Sequence, residues 1–195
     1  EKVVVATTAQ HDDQEIVRLA QKLGYPVYRG SQEDVLDRYY QAAKVFDAKH
    51  IARITADCPV IDPKIIDCVI DRYFQEKADY CSNTLVETFP DGQDVEVFSC
   101  MALEIAWGKT KRPSDREHVT PYFKRNKKMF KLTSCVHTVN LGDKRWTIDE
   151  KQDYLFLKEL FEMLYKSNPT FGMRQILKVL KKNPRLERIN HRIMR

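Results

Sequence analysis

Apolar and polar positions alternate along the chain in a way that predicts short strands joined by amphipathic helices. Lys2 to Thr7 is a short valine-rich run, which predicts a buried strand. Asp12 then predicts the N-cap of a helix over about 13–23, with Ile16, Val17, Leu19, Ala20 and Leu23 on one face and Gly24 as its stop. Pro26-Val27-Tyr28-Arg29 predicts a second strand and Gly30-Ser31 a turn. A helix over about 33–48 follows, burying Val35, Leu36, Tyr39, Ala42, Ala43 and Phe46. Ile51 to Thr55 predicts a third strand. It breaks at Asp57, because neither Pro59 nor Pro63 can donate a ladder hydrogen bond. Asp62 suits an N-cap and Pro63 the first turn of a helix over about 64–77, and a strand over 79–82 comes next. This alternation predicts an α/β fold with a mostly parallel sheet, helices on both faces and right-handed crossovers.

After Asn83 the pattern changes. Phe89-Pro90-Asp91-Gly92 is a turn signal, and Asp94-Val95-Glu96-Val97-Phe98 alternates as a half-exposed strand does, with Asp94 and Glu96 on one face. Helices are expected over about 100–108 and 115–125, an extended strand over 130–139 and a shorter one over 145–148. Asp149 then opens a long helix over about 150–165, and a last helix covers about 173–182. There is no repeat and no low-complexity linker, so we read residues 1–195 as a single domain.

Composition adds three constraints. No apolar run approaches the roughly 18 residues needed to span a bilayer, and no signal peptide opens the chain. The 5 cysteines form no CxxC pair, which argues for reduced thiols in the cytoplasm and against a disulfide frame or a zinc site. Of the net charge of +5, about +7 falls between Thr170 and Arg195, leaving the remainder near −2. Such an end can hold a nucleic acid, but a solvated helix face is the commoner explanation and the one adopted here. The chain also begins on a strand-like run without an initiator Met, so a further upstream segment is expected.

Candidate chemistry centres on two acids. Asp57 stands at the carboxyl end of a strand, where open α/β sheets bind ligands, and Asp149 stands where a strand hands over to a helix. Facing one cleft, the two carboxylates could share a magnesium ion, which typically takes one or two carboxylates together with substrate phosphates. Turn capping by Asp57 and helix capping by Asp149 are the plainer alternatives. For His11-Asp12-Asp13, capping and dipole complementarity are favoured over a metal site. Arg29 to Arg38 places Ser31 and Asp34 at a strand end and helix N-terminus, where free N–H groups favour anions or base edges. An i,i+4 ion pair is the default for Asp34 and Arg38. Asp94, Glu96 and the run from Ser114 to Tyr122, which holds Glu117 and His118, are dense enough in polar groups for a sugar site, with a charged helix start as the simpler reading. P-loop, GxSxG, HExxH and Rossmann glycine signatures are absent.

In order along nearly the whole chain, VVVATT (3–8), YRGSQEDVLDRYYQAA (28–43), RITADCPVIDP (53–63), DGQDVEVF (91–98), SDREHVTPYF (114–123) and RWTIDEKQD (145–153) resemble the spore-coat polysaccharide (SpsF-like) cytidylyltransferases. These are related to the 3-deoxy-manno-octulosonate and acylneuraminate cytidylyltransferases. The resemblance implies a Rossmann-like nucleotidyltransferase fold with a sugar-binding and dimerising subregion at about 84–140. It implies transfer of CMP from CTP to a sugar or sugar acid, with release of pyrophosphate, for surface polysaccharide synthesis. It further implies Mg2+ on Asp57 and Asp149, Ser31, Asp34, Arg38 and Arg53 toward the nucleotide, Asp94, Glu96, Glu117 and His118 toward the sugar, and a homodimer. One departure stands out. The family begins with a strand and a basic R-x-x-S-x-R-x-P-x-K loop around the triphosphate, and this sequence has neither. The fold is therefore expected to lack its first strand, which would lie between Lys2–Thr7 and Ile51–Thr55. Losing one charge-stabilising donor costs about 3–4 kcal/mol, so these 195 residues alone are expected to be weakly active or inactive. A non-catalytic sugar- or nucleotide-binding module is the alternative.

Overall fold

A computed structural model describes residues 2–191; Arg192 and Arg195 of the basic end lie outside the described residues. The strands are mostly parallel and alternate with helices, so the fold class is the α/β arrangement expected. The chain forms two compact units, each discontinuous in sequence.

The first unit comprises residues 1–51 and 98–132. Strands β1 (Val5–Thr8) and β2 (Val27–Gly30) pair in parallel, with Thr8 opposite Gly30, and form a sheet of their own. Helix α1 (Gln14–Lys22) links them, and α2 (Val35–Val45) follows β2. The capping expectation for Asp12-Asp13 fails. Residues His11–Asp13 form a 3-10 turn, and neither acid makes a side-chain cap to α1. The Asp13 carboxylate instead accepts from the Thr7 and Thr8 hydroxyls at 2.6 and 2.5 Å and from the Thr8 N–H at 2.8 Å. These donors hold its pKa down at about 2.

Helix α4 (Cys100–Lys109) packs on α2 through a Tyr40–Trp107 stack, with ring centroids 4.3 Å apart, and a Trp107-to-Asp37 hydrogen bond of 2.8 Å. The single helix expected over 115–125 is in fact two, α5 (Pro113–His118) and α6 (Pro121–Arg125). Fully buried Val119 breaks it at φ 70°, a left-handed conformation that a β-branched residue rarely adopts.

The second unit comprises residues 52–97 and 133–195. It holds the whole of α3 (Pro63–Gln75), α7 (Lys151–Leu164), α8 (Met173–Lys182) and strand β4 (Tyr80–Ser82), together with parts of β3 (His50–Arg53), β5 (Glu96–Ser99) and β6 (Leu132–Ser134). The strand order is β3-β5-β4-β6, and among the described residues β3 pairs with β5 and not with β1, a pairing the sequence had left open. One apolar core gathers Trp146, Phe156, Leu160, Phe171 and Ile176, and a second gathers Ile65, Val69, Tyr73, Val95 and Val97. Asp62 caps α3 as expected, accepting from the Lys64 N–H at 2.9 Å, and its other oxygen accepts from the Met173 N–H at 2.8 Å. Two helix starts therefore share one carboxylate.

Three strand expectations change. The run 145–148 is no strand, only a bridge between Asp91 and Arg145. The run 130–139 shortens to β6. The β5 region is buried on both faces, because Glu96 is buried along with Val95, Val97 and Phe98. Among the described residues no helix is long and apolar enough to cross a membrane.

Candidate active site

Three loops of the second unit are knitted together by main-chain hydrogen bonds. The Asp57 carbonyl accepts from the Ile148 N–H at 3.0 Å and the Thr147 hydroxyl at 3.1 Å. Asp57 and Asp149, far apart in sequence, thus lie on adjoining main chain. The Asp91 N–H donates to the Lys144 carbonyl at 2.9 Å, and the Trp146 N–H donates to the Asp91 carbonyl at 2.7 Å. Gly92 permits this approach. At φ 92°, a Cβ there would lie 2.5 Å from the main chain of Trp146 and Thr147, a gap only glycine fits. Fully buried Gln93 completes the knot, accepting from the Asp62 N–H at 2.9 Å and donating to the Val60 carbonyl at 2.8 Å. The loop after Asp57 is thereby fixed without a strand ladder.

The Asp57 carboxylate is half-buried, and its Oδ1 accepts from the Thr55 hydroxyl and takes a 3.6 Å contact from the Cys58 thiol. Burial, aided by the charges of Asp57 and Asp94, pushes the Cys58 thiol up to about 12 against the opposing Thr55 hydrogen bond, so it stays protonated. Asp149 does not cap α7, contrary to the plainer sequence reading; the N-cap is Glu150. The Asp149 Oδ2 instead accepts from Arg145 at 2.7 Å, and about half of its side chain is exposed.

Arg145 is the residue that sequence reasoning missed. Its guanidinium also reaches Asp91 at 3.1 Å and fully buried Asp153 at 2.8 and 3.0 Å. Burial raises the Asp153 pKa, but hydrogen bonds from Arg145, Asn190 and the Glu150 and Asp149 N–H groups outweigh it and hold the carboxyl below its ordinary range. Arg145 is held firmly charged, chiefly by Asp153. Its spacing to Asp149 (i+4) and Asp153 (i+8) was the available sequence signal.

Among the described residues no group of three or more acids, histidines or cysteines is arranged to hold a metal. The recorded hydrogen bonds engage one oxygen each of Asp57 and Asp149.

The remaining expected residues divide between the units. In the second, Arg53 donates to Glu96 at 2.5 Å and Tyr80 donates to its other oxygen at 2.6 Å, so both Glu96 oxygens are engaged. Asp94 lies beside Cys58, through its main chain and its charge. In the first unit, Ser31 follows the carboxyl end of β2, and its hydroxyl accepts from the Asp34 N–H at 2.9 Å. Asp34 caps Asp37 at 2.9 Å and pairs with Arg116 at 3.4 Å, not with Arg38 as expected. Arg38 instead donates to the Ser31 carbonyl at 2.6 Å, its stem passing over Gly30, where a Cβ would lie 2.9 Å from Arg38 Cγ. Fully buried Asp115 anchors α5 through Thr110 and Arg125, which leaves Glu117 and His118 exposed.

The chain matches the cytidylyltransferase family over residues 1–190. An uncharacterized protein of Methanocaldococcus jannaschii is 37% identical over 196 residues, an alignment covering 98% of this chain and 77% of that protein. The spore coat polysaccharide biosynthesis protein SpsF of Bacillus subtilis is 27% identical over 187 residues, covering 94% and 76%. Among solved structures, a cytidylyltransferase from Leptospira borgpetersenii serovar Hardjo-bovis superposes with a TM-score of 0.91 at 34% identity, covering 99% of this chain and 81% of that one. The chain belongs to the cytidylyltransferase family, nucleotidyltransferases that use CTP.

Proposed function

We propose that the protein transfers CMP from CTP to a sugar or sugar acid and releases pyrophosphate, supplying surface polysaccharide or glycoconjugate synthesis. The observation that supports this reading is the hydrogen-bonded contact between the Asp57 loop and residues 147–148, which puts the two acids on adjoining main chain. In this reading Asp57 and Asp149 hold magnesium, which when bound would draw negative charge off the phosphate oxygens. The sugar hydroxyl attacks the α-phosphorus in line, the bond from that phosphorus to the oxygen bridging the β-phosphate breaks, pyrophosphate leaves, and the hydroxyl proton passes to solvent. The protein's share is positioning more than covalent chemistry. Ser31, Asp34 and Arg38 take the base or ribose. Arg53 reaches toward phosphate, or steadies the strand end through Glu96. Of the residues expected toward the sugar, Asp94, Glu117 and His118 keep that role in this reading, whereas both oxygens of Glu96 are taken by Arg53 and Tyr80. Arg145 fixes the Asp149 carboxylate, so that side chain enters the reaction already oriented. A homodimer in the cytoplasm belongs to the same reading. Because residues 1–195 contain no R-x-x-S-x-R-x-P-x-K loop, turnover by these residues alone is expected to be weak.

The test is pyrophosphate release by the full-length protein with each nucleoside triphosphate and a panel of sugar acids. CTP should be preferred, and Asp57→Asn should slow release by about 10²–10³-fold, the range for loss of one charge-stabilising group. Unchanged turnover in that variant removes Asp57 from the metal role. Binding of sugar or nucleotide with no release under any combination would favour a non-catalytic binding module.

A further inference from the structure

A recess of about 610 Å³ in the second unit is lined by Lys64, Cys68, Arg72, Ser134 and Cys135, among others. Neither Asp57 nor Asp149 lines it, and the proposed reaction makes no use of it. Cys68 lies on α3 and is exposed, whereas Cys135 follows β6 and is buried. Their Sγ atoms are 2.8 Å apart, against about 2.05 Å in a disulfide, so closure needs a shift of under roughly 1 Å. The Cys135 N–H donates to the Ser82 carbonyl at 3.1 Å, which fixes the buried partner on the sheet.

We propose that Cys68 and Cys135 form an oxidisable thiol pair that closes to an intramolecular disulfide under peroxide. Exposed Cys68 meets the oxidant. Its thiolate sulfur attacks one peroxide oxygen, the O–O bond breaks, and Cys68 becomes a sulfenic acid as hydroxide leaves and is protonated to water. The Cys135 sulfur then attacks the Cys68 sulfur, the S–O bond breaks, and the departing hydroxide takes up the Cys135 proton as a second water. The sulfur pair loses two electrons and the peroxide gains them. One feature of the site suits this order. Burial pushes the Cys135 thiol up to about 12, so it waits protonated as the resolving partner. The positive charge of Arg72, which lines the same recess, opposes that shift. The new bond staples α3 to the sheet and closes a loop spanning 67 residues, which restricts the unfolded chain.

The test treats the full-length protein with hydrogen peroxide and maps its non-reduced peptides by mass spectrometry. The expected result is a Cys68–Cys135 linked peptide pair two hydrogen atoms lighter than the separate peptides, lost on reduction with dithiothreitol. The link should be absent in Cys68→Ser and in Cys135→Ser, and present in Cys100→Ser. Oxidised protein should also unfold at a higher urea concentration than reduced protein. A link through buried Cys81, a cross-link between chains, or sulfinic acid on Cys68 with no linked peptide would overturn the proposal. The wild-type map decides the question even if a serine variant fails to fold.

Discussion

Arg145→Ala is the perturbation whose cost the geometry specifies most closely. The guanidinium is nearly buried, with 12% of its side chain exposed, and it faces Asp153, which has none. Removing it leaves a carboxylate in the interior with only Asn190 and two main-chain N–H groups for compensation. Breaking a buried pair in this way typically costs about 3–5 kcal/mol, whereas a surface pair costs about 0–1 kcal/mol. For a chain of this size that corresponds to a fall of roughly 6–20 °C in Tm, read by calorimetry or circular dichroism. Arg145→Lys should fall between, because an ammonium keeps the charge but not the planar fork that reaches three acids. The dependence on pH follows from the depressed Asp153 pKa. A group whose folded pKa lies below its unfolded value contributes stability above the unfolded value, about 3.9 for Asp, and loses it as pH falls through the folded one. The gap between wild type and Arg145→Ala should therefore be fully open near neutrality and narrow as the medium is acidified below about 4. A loss under about 1 kcal/mol at neutral pH, or a gap that widens in acid, would refute the assignment of Arg145 as the buried counter-charge.

Gly92→Ala should destabilise by more than about 2 kcal/mol, since it meets both a positive φ and the main chain of residues 146–147. Gly24→Ala, at φ 80° with nothing within 4 Å, should cost about 1 kcal/mol; urea midpoints compare the two. The Asp13 carboxyl should titrate near 2 by NMR, and removing the Thr8 hydroxyl (Thr8→Ala) should move its midpoint upward toward the ordinary value.

How much of this was legible in the sequence depended on how local each signal was. The alternation of strands and helices as far as β4 follows from periodicity and capping, and the Asp62-Pro63 start of α3 stands where the local pattern put it. Failures occurred where a distant partner decided the outcome. Residues 145–148 carry strand-like side chains, yet their main chain pairs with the turn at Asp91 and with Asp57, loops no window could reveal. Asp34 had a cation one turn away, but tertiary packing supplied Arg116 from α5. Glu96 looked solvated from its alternation; Arg53 and Tyr80 make its burial tolerable. At the candidate site, Asp57 and Asp149 were singled out from expected strand ends, but β3 stops at Arg53 and residues 145–148 form no strand, and the arginine that pairs with Asp149 was not legible. Its role rests on Asp91 and Asp153 converging from separate segments.

The central claim is that Asp57 and Asp149 act together on one magnesium–nucleotide complex. Calorimetric titration of CTP into the full-length protein, with and without magnesium, tests it most directly for wild type, Asp57→Asn, Asp149→Asn and the double variant. Each single substitution should weaken magnesium-dependent binding at least tenfold, about 1.4 kcal/mol, with the double variant losing less than the sum because the two share a partner. Magnesium-dependent affinity left intact by either single substitution, or strictly additive losses, would contradict it.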